Sequence, residues 1–432
     1  MNPSTSKAEE ATNQAQPEEL QSTSSQFDKY RKPDGSIDYD YFYNNPHEGN
    51  MQLECTIVRH MLAQIKIGMD LGKITLPTFI LERRSLLEMY ADHFSHPQLF
   101  AAISEGKTSH DRMMAALKWY MSSFHAGRNY DVAKKPYNPI LGEMFTCYYD
   151  FDKSTPSKPV LDGPVPWAND RSVAFYAEQV SHHPPISAFY AEHVANKVIC
   201  NAHIWTKSRF YGLSIGVVNA GRAVISLLDH NEQYIFTFPA AYAKGILSVP
   251  YVELGGSATA VCPQTGFKAE IEFLTKSLWS KAANRLTCKV FSPNDQVPTD
   301  LIEGEWTGVL KLKKCPGSKN SPSKDQVFID VTATPIHQKL VRPLGEQQPK
   351  ESRFLWRYVT AALFVNDVDL ATKRKSEIEQ FQRDEAASRR SNKTDYAPKN
   401  FKRVQADDDE SPWWYHPSLI DRLQKGSQIK LE

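Results

Sequence analysis

Six cysteines in 432 residues, none spaced as Cys-x-x-Cys, leave neither a zinc ribbon nor a disulfide framework to organise this chain. Cys55, Cys147, Cys200, Cys262, Cys288 and Cys315 read instead as reduced thiols, which sets the expectation of a cytosolic protein. An excess of one charge is lacking too. Fifty-one Lys and Arg against 50 Asp and Glu give a formal charge of +1, so nothing global draws the chain to nucleic acid or a bilayer. Any anion-binding surface must be local. No apolar run approaches the roughly 18 residues a membrane-spanning helix needs. The opening MNPSTSKAEEATNQAQ has no apolar stretch of the secretory kind, and no internal repeat is visible.

What is present is ordinary globular material, 41% hydrophobic and 23% charged, enough for one large core or two smaller ones. Residues 1–48 are polar and read as disordered. The exception is DYDYFYNNP around Tyr41-Phe42-Tyr43. Its acidic flank, Asp38 and Asp40, is similar to a two-aromatic motif that docks on an endoplasmic-reticulum receptor, although no acid follows the aromatics. The other reading is a segment packed on the folded body. Leu53, Ile57, Met61 and Ile65 recur every four residues and predict an amphipathic helix to Ile67. It is either a surface helix or a lid whose apolar face covers a lipid or touches a bilayer.

Two further helices are predicted, Leu81 to Phe94 and Asp111 to Phe124, the second with Ser109 as N-cap. From about Val173 to Val331 at least nine short Val, Ile, Tyr, Phe and Thr-rich runs alternate with Gly, Asn, Asp and Pro. That texture predicts an α+β protein dominated by a large antiparallel sheet or barrel. CPGSKNSPSKDQ is a polar loop, helices return at Ser352 to Phe364 and Ala371 to Arg390, and the tail carries Trp413-Trp414-Tyr415.

Three constellations can carry chemistry. In EQVSHHPP, Glu178 to Pro185, two prolines hold His182 and His183 on a stiff turn. Adjacent imidazoles there suit a phosphate or other ligand, or simply form a turn. A metal is rejected because no further ligands stand at metal spacing, His193 and His203 being isolated. In AKKPYNPILGE, Ala133 to Glu143, Lys134 and Lys135 precede a rigid turn containing Asn138. This is either a surface loop or half of an anion site. In KSEIEQFQR, Lys375, Glu379 and Arg383 share one helix face and span about 12 Å at 1.5 Å per residue. That face is either a solvated ion-pair ladder or the cationic wall of a phosphate pocket. GLSIG, Gly212 to Gly216, fits a nucleophile-elbow pattern on Ser214, but it lies in strand-rich text where that elbow does not form.

These constellations, with LPTFILERRSLLEMYADHF, KWYMSSFHAGR, HIWTKSRFYGLSIG and VELGG, resemble the ligand-binding domain of the oxysterol-binding-protein-related family over residues 68–403. The resemblance implies a large incomplete antiparallel β-barrel with a lipid tunnel, an N-terminal lid and flanking helices. Residues 49–75 would be the lid region and 76–432 the lipid-binding domain. His182 and His183 would donate to the 4-phosphate of phosphatidylinositol 4-phosphate. Lys135 and Asn138 would contact the headgroup, and Lys375, Glu379 and Arg383 match the family's K-x3-E-x3-R helix. Leu76 with Pro77, and Ser208 with Lys207, match positions near the second lipid in members that carry phosphatidylserine, which is favoured here over sterol.

The resemblance further implies exchange of lipids between membranes, without covalent chemistry, metal or cofactor. The competing reading is a lipid sensor that transfers little. Expected partners are membrane lipids, transient membrane surfaces and an endoplasmic-reticulum docking receptor or family partner, and no nucleic acid. The expected setting is the cytosol, peripheral to endoplasmic reticulum and Golgi or endosomal membranes. The resemblance implies that full-length relatives usually carry an N-terminal pleckstrin-homology domain, for which 48 residues leave no room, so either a short form or targeting through a partner is expected.

Overall fold

The structure is a computed structural model that describes residues 25–46, 48, 78, 81–126, 134–212, 214–245, 251–276, 283–315, 325–404 and 413–429. The predicted lid helix over 53–67, Leu76 and Pro77, and most of the CPGSKNSPSKDQ loop lie outside these residues.

In chain order the elements begin with α1 (Tyr39–Asn44), β1 (Leu81–Ser85), α2 (Leu86–Ala91), α3 (Pro97–Ala101) and α4 (Ser109–Ala126). A short strand β2 (Lys135–Tyr137) follows. The main sheet then runs through β3 (Met144–Tyr149), β4 (Val173–His182), β5 (Pro185–His193), β6 (Val198–Phe210), β7 (Ile215–Leu227), β8 (Glu232–Phe236) and β9 (Ala240–Lys244). It continues through β10 (Tyr251–Val261), β11 (Lys268–Leu274), β12 (Arg285–Phe291), β13 (Asp300–Glu305), β14 (Val309–Lys314) and β15 (Gln326–Asp330). Helices α5 (Ser352–Phe364) and α6 (Val368–Asn392), strands β16 (Phe401–Arg403) and β17 (Trp413–Tyr415), and helix α7 (Leu419–Ile429) complete the chain.

The predicted antiparallel sheet is present, with 13 strands in near-sequential order, and it does not close as a barrel: β3 and β15 are its two ends. Strands β8 and β9 act as one interrupted strand, since both lie between β7 and β10. Pro239 stands in the break, where its missing N–H spares no ladder bond. In β11 the burial alternates strictly, so Ala269, Ile271 and Phe273 face the core while Lys268, Glu270 and Glu272 face water. In β4 and β5 almost every residue is buried, because both faces are covered. Phe175, Ala177 and Phe189 join the main core with α4, whose Tyr120 stacks on Phe236 at 4.7 Å. Tyr176, Val180 and Tyr190 pack outward against Phe401, Tyr415 and Leu419. A strand buried on both faces shows no period-two signal, which explains why β5 is illegible in sequence.

The structure corrects three expectations. The helix expected over 81–94 is a strand up to Ser85, paired in parallel with β2, and only then a helix capped by Ser85. Its charged sequence looked like a helix surface. In fact Arg84 pairs with Glu82 and Asp92, Lys339 reaches Asp92 at 2.6 Å, and Arg353 reaches Glu88 at 2.6 Å, all largely buried. The N-cap of α4 is Thr108 rather than Ser109. Thr108 Oγ1 accepts from Asp111 N and Asp111 Oδ2 accepts from Thr108 N, each at 3.1 Å, a reciprocal capping box. The disorder expected over 1–48 fails over 25–46. There Phe42 is buried against Phe27 and Phe364, Asp40 accepts from Leu344 N at 3.1 Å, and Tyr43 Oη donates to Arg353 O at 2.8 Å. The aromatic cluster is thus a strap on α5, and this packing buries Phe42 and Tyr43.

Burial pushes His93, His193 and His203 each down to about 4. The unfolded chain binds protons on these groups from about pH 6.5 downward, whereas the folded protein resists them until about pH 4. Stability therefore rises with pH across that window. The urea midpoint is expected to fall steadily from pH 7 to 5; an unchanged midpoint contradicts the assignment.

Candidate functional site

The site is built on two rigid turns and one helix. In the first turn, β4 ends at His182, His183 and Pro184 form the two-residue connection, and Pro185 opens β5 opposite His182. The His183–Pro184 bond is cis. The preceding residues of the motif are braces. Gln179 Oε1 accepts from Ser187 Oγ at 2.6 Å and its Nε2 donates to Ser181 O at 2.9 Å. Glu178 accepts from Tyr396 Oη at 2.6 Å and from the backbone of Lys399 at 2.8 Å, tying the segment after α6 to β4.

The second turn is AKKPYNPILGE. Its strand β2 places Tyr137 in a core with α5 and α6, stacked on Trp356 at 4.6 Å. Glu143 fixes the rest. This carboxylate is fully buried and accepts from Ser85 Oγ at 2.5 Å, Ser352 Oγ at 2.7 Å, Trp356 Nε1 at 2.9 Å and Ile140 N at 3.1 Å. Gly142 has φ +79° and donates to Gln179 O at 2.9 Å, joining the two turns. A Cβ at Gly142 would come 2.9 Å from Tyr396 Oη, so both backbone and space require glycine.

The lysines of this turn diverge, as neighbours on a strand must. Lys134 lies by Arg83 and Glu82, where burial and then the Arg83 charge lower its pKa. Lys135 lies on the other side, beside α6. Its pKa is lowered by burial first and then by the Lys375 ammonium, with Glu379 opposing. Lys135 keeps an exposed surface while its ammonium is partly desolvated by the surrounding protein. Lys375 and Glu379 form an i, i+4 ion pair on α6.

His182 joins the same field. Its pKa is pushed down to about 4 by burial, then by His183, with Glu379 opposing. The two rings stand 4.6 Å apart at 65°. His182 Nδ1 is buried without a hydrogen-bond partner. Crowded cations and a destabilised imidazolium describe a site that gains from an anion.

Thus Lys135, His182, His183, Lys375 and Glu379 are brought together. Arg383 is one turn further along α6, exposed, with Nε and Nη2 on Gln380 Oε1 at 3.0 and 2.9 Å. Asn138 is exposed on the turn just beyond β2. Ser208 is on β6, three residues past Trp205, which pairs with Ile186 beside the histidine turn. Asn138, Arg383 and Ser208 therefore border the cluster rather than enter it. Ser214 of GLSIG sits in the β6–β7 hairpin turn, where its carbonyl accepts from Tyr211 N at 2.8 Å, and no strand-to-helix elbow forms there. Sequence reasoning missed Glu143, Glu178 and Gln179. The available signal was a lone carboxylate between apolar neighbours in LGEMF.

A thirteen-stranded open antiparallel sheet with an imidazole and ammonium cluster beside one strand turn defines an anion-suited binding fold. The sequence model of the oxysterol-binding protein family matches residues 60–424, and the chain belongs to that family. It is 48% identical over 377 residues to human oxysterol-binding protein-related protein 9, covering 87% of this chain and 50% of that protein. Human oxysterol-binding protein-related protein 10 is 43% identical over 368 residues, covering 82% and 47%. The chain spans about half the length of the curated relatives it matches. Among solved structures, the Osh1 ORD domain in complex with cholesterol matches with TM-score 0.66 at 19% identity, covering 90% of this chain and 96% of that one. The Osh3 ORD in complex with PI(4)P from Saccharomyces cerevisiae matches with TM-score 0.62 at 20% identity, covering 90% and 98%.

Proposed function

We propose that this chain is a lipid-transfer module that takes phosphatidylinositol 4-phosphate by its headgroup and exchanges it for a second lipid between membranes. The observation that carries this reading is the convergence of His182, His183, Lys135 and Lys375 from three separated segments on one cluster. A phosphate monoester there receives two imidazole donors and two ammonium groups, and Glu379 orients Lys375. Asn138 and Arg383 extend the shell toward the inositol ring. No bond is made or broken, so no enzyme chemistry, metal or cofactor is invoked. The family resemblance and the Osh3 complex with PI(4)P support the same ligand.

For the second lipid we favour phosphatidylserine. Ser208 lies at the histidine-turn end of the sheet, on the face of β6 opposite Lys207, where its hydroxyl could meet a serine headgroup. Sterol is the second reading, supported by the fold's likeness to Osh1 bound to cholesterol. Work at membrane surfaces fits a chain in which, among the described residues, no helix is long and apolar enough to cross one. We place it in the cytosol, peripheral to endoplasmic reticulum and Golgi or endosomal membranes, with docking by a receptor or family partner.

The test is transfer between donor and acceptor liposomes with each lipid labelled in turn. Coupled movement of phosphoinositide and phosphatidylserine supports the proposal. Binding without equilibration points to a sensor, and movement of sterol alone replaces the cargo.

The pH dependence follows from His182. A bound phosphate raises its pKa from about 4, so binding takes up a proton when pH lies below the complexed value. Affinity for the headgroup is expected to rise as pH falls from about 8 to 6.5, above the phosphate's own second pKa near 6. Calorimetry in two buffers of different ionisation enthalpy reads the proton uptake directly; equal heats in both would show that His182 stays neutral.

A further inference from the structure

The sheet end that carries the histidine turn also carries an aromatic overhang that the headgroup site does not use. Strand β6 continues past Trp205 to Phe210, five residues and about 15 Å beyond its last pair with β5, and returns as β7. The tip residue Tyr211 packs its ring edge on Gly216. A Cβ at Gly216 would come within 2.7 Å of its ring, and one at Gly255 within 2.9 Å of the Tyr242 ring. Two glycines thus floor a row of tyrosines on the outer face of β7, β9 and β10. The open groove along them has a volume of about 580 Å³.

Around that row several large apolar side chains are exposed. Tyr211, Val218, Tyr251 and Leu274 are 49%, 53%, 39% and 41% exposed. The registers Gly216↔Tyr242, Tyr251↔Lys244 and Gly256↔Phe273 place them on adjoining strand ends. Lys207 and Arg209 stand exposed on the same hairpin. The acidic residues do not balance them. Glu253 is buried and paired with Lys244 at 2.5 Å, and the exposed carboxylates Glu270 and Glu272 stand on β11, several strands from the hairpin that carries Lys207 and Arg209. Tyrosine side chains with an apolar body and a polar tip, flanked by cations, match the headgroup region of an anionic bilayer.

We infer that the β6–β7 overhang and the adjoining ends of β9 to β11 form the surface by which this chain docks on anionic membranes. Tyr211, Tyr251, Val218 and Leu274 enter the interface, and Lys207 and Arg209 meet anionic headgroups. The inference deepens the lipid-transfer reading and rests on it. Docking there brings the histidine turn, about 15 Å below the tip, toward the lipid it would receive.

The experiment is flotation with vesicles of phosphatidylcholine and phosphatidylglycerol, free of phosphoinositide, phosphatidylserine and sterol. Docking is thereby read without cargo uptake. Tyr251→Ser/Leu274→Ser keeps the Tyr211 ring on Gly216. It is expected to weaken vesicle binding about tenfold, as is Arg209→Glu, with binding of soluble inositol 1,4-bisphosphate unchanged. Hydrogen exchange on the unaltered protein is expected to slow at 207–218 when vesicles are added. Flotation equal to the parent protein, or vesicle protection confined to other segments, overturns the inference. Protection of 207–218 that grows with protein concentration without vesicles assigns the surface to a second copy and also overturns it. If docking stands while phosphoinositide transfer fails, the cargo reading alone falls.

Discussion

His182→Ala/His183→Ala is expected to abolish phosphoinositide extraction and to leave the fold intact. In the proposed binding mode each imidazole would supply a hydrogen bond to a charged phosphate, worth about 1.5–3 kcal/mol. Losing both costs about 3 kcal/mol or more, a hundredfold or greater drop in affinity. Nothing in the fold depends on the rings. His183 is exposed, His182 has an unpartnered nitrogen, and the turn is braced by Gln179 and Glu178 rather than by the histidines. The double variant is therefore expected to unfold at the parent's urea midpoint at pH 7. It should also lose less stability on acidification, because His182, at about 4, is one of the groups that resist protonation in the folded state. Retained extraction in a folded variant removes the histidines from the site.

Glu143→Ala acts through structure, and its effect on stability is expected to exceed that of any surface change. The substitution leaves Ser85 Oγ, Trp356 Nε1 and Ile140 N without this acceptor in the interior, while Ser352 Oγ keeps Met144 O at 3.1 Å. Orphaned buried donors cost about 1–3 kcal/mol each, and relaxation or entering water recovers part of that. A loss of about 3–5 kcal/mol is the expected outcome by urea unfolding, of the size seen when a buried charge network is broken. Burial raises the Glu143 pKa, and its hydrogen bonds oppose that rise. Where the variant remains folded, headgroup affinity should fall as well, because Lys135 and Asn138 ride on the turn that Glu143 anchors. Ser352→Ala removes one donor only and should cost about 1 kcal/mol. A Glu143→Ala protein as stable as the parent would show that the turn is held by Tyr137 packing alone.

Much of the fold was legible because the sheet's outer half obeys simple patterning. The RLTCKVF and FKAEIEF runs alternate as β12 and β11 do, and SRFLWRYVTAALF carries the stripe of α5. Legibility failed where a second layer covers an element. Strand β5 shows no alternation because β17 and α7 cover its outer face, and β1 hides charges in buried ion pairs. EGEWTGVLKLK reads as one strand, yet it is the β13–β14 hairpin, with Trp306 to Gly308 in the turn.

At the site, the two turns and the α6 face were visible as separate motifs. Their meeting was not, since residues 135, 182 and 375 are joined only by tertiary packing. The sequence also could not separate Lys134 from Lys135, or place Arg383 at the border, because side-chain direction depends on the pairing of β2 and the rotation of α6. The braces were invisible for a different reason. Glu143, Glu178 and Gln179 matter through the donors they satisfy, and those donors come from distant segments.

Native mass spectrometry of the protein after incubation with vesicles containing phosphatidylinositol 4-phosphate tests the central claim most directly. The account predicts a species carrying one phosphoinositide that is absent from His182→Ala/His183→Ala. No lipid-bound species in the parent protein, or equal loading of parent and variant, would contradict it.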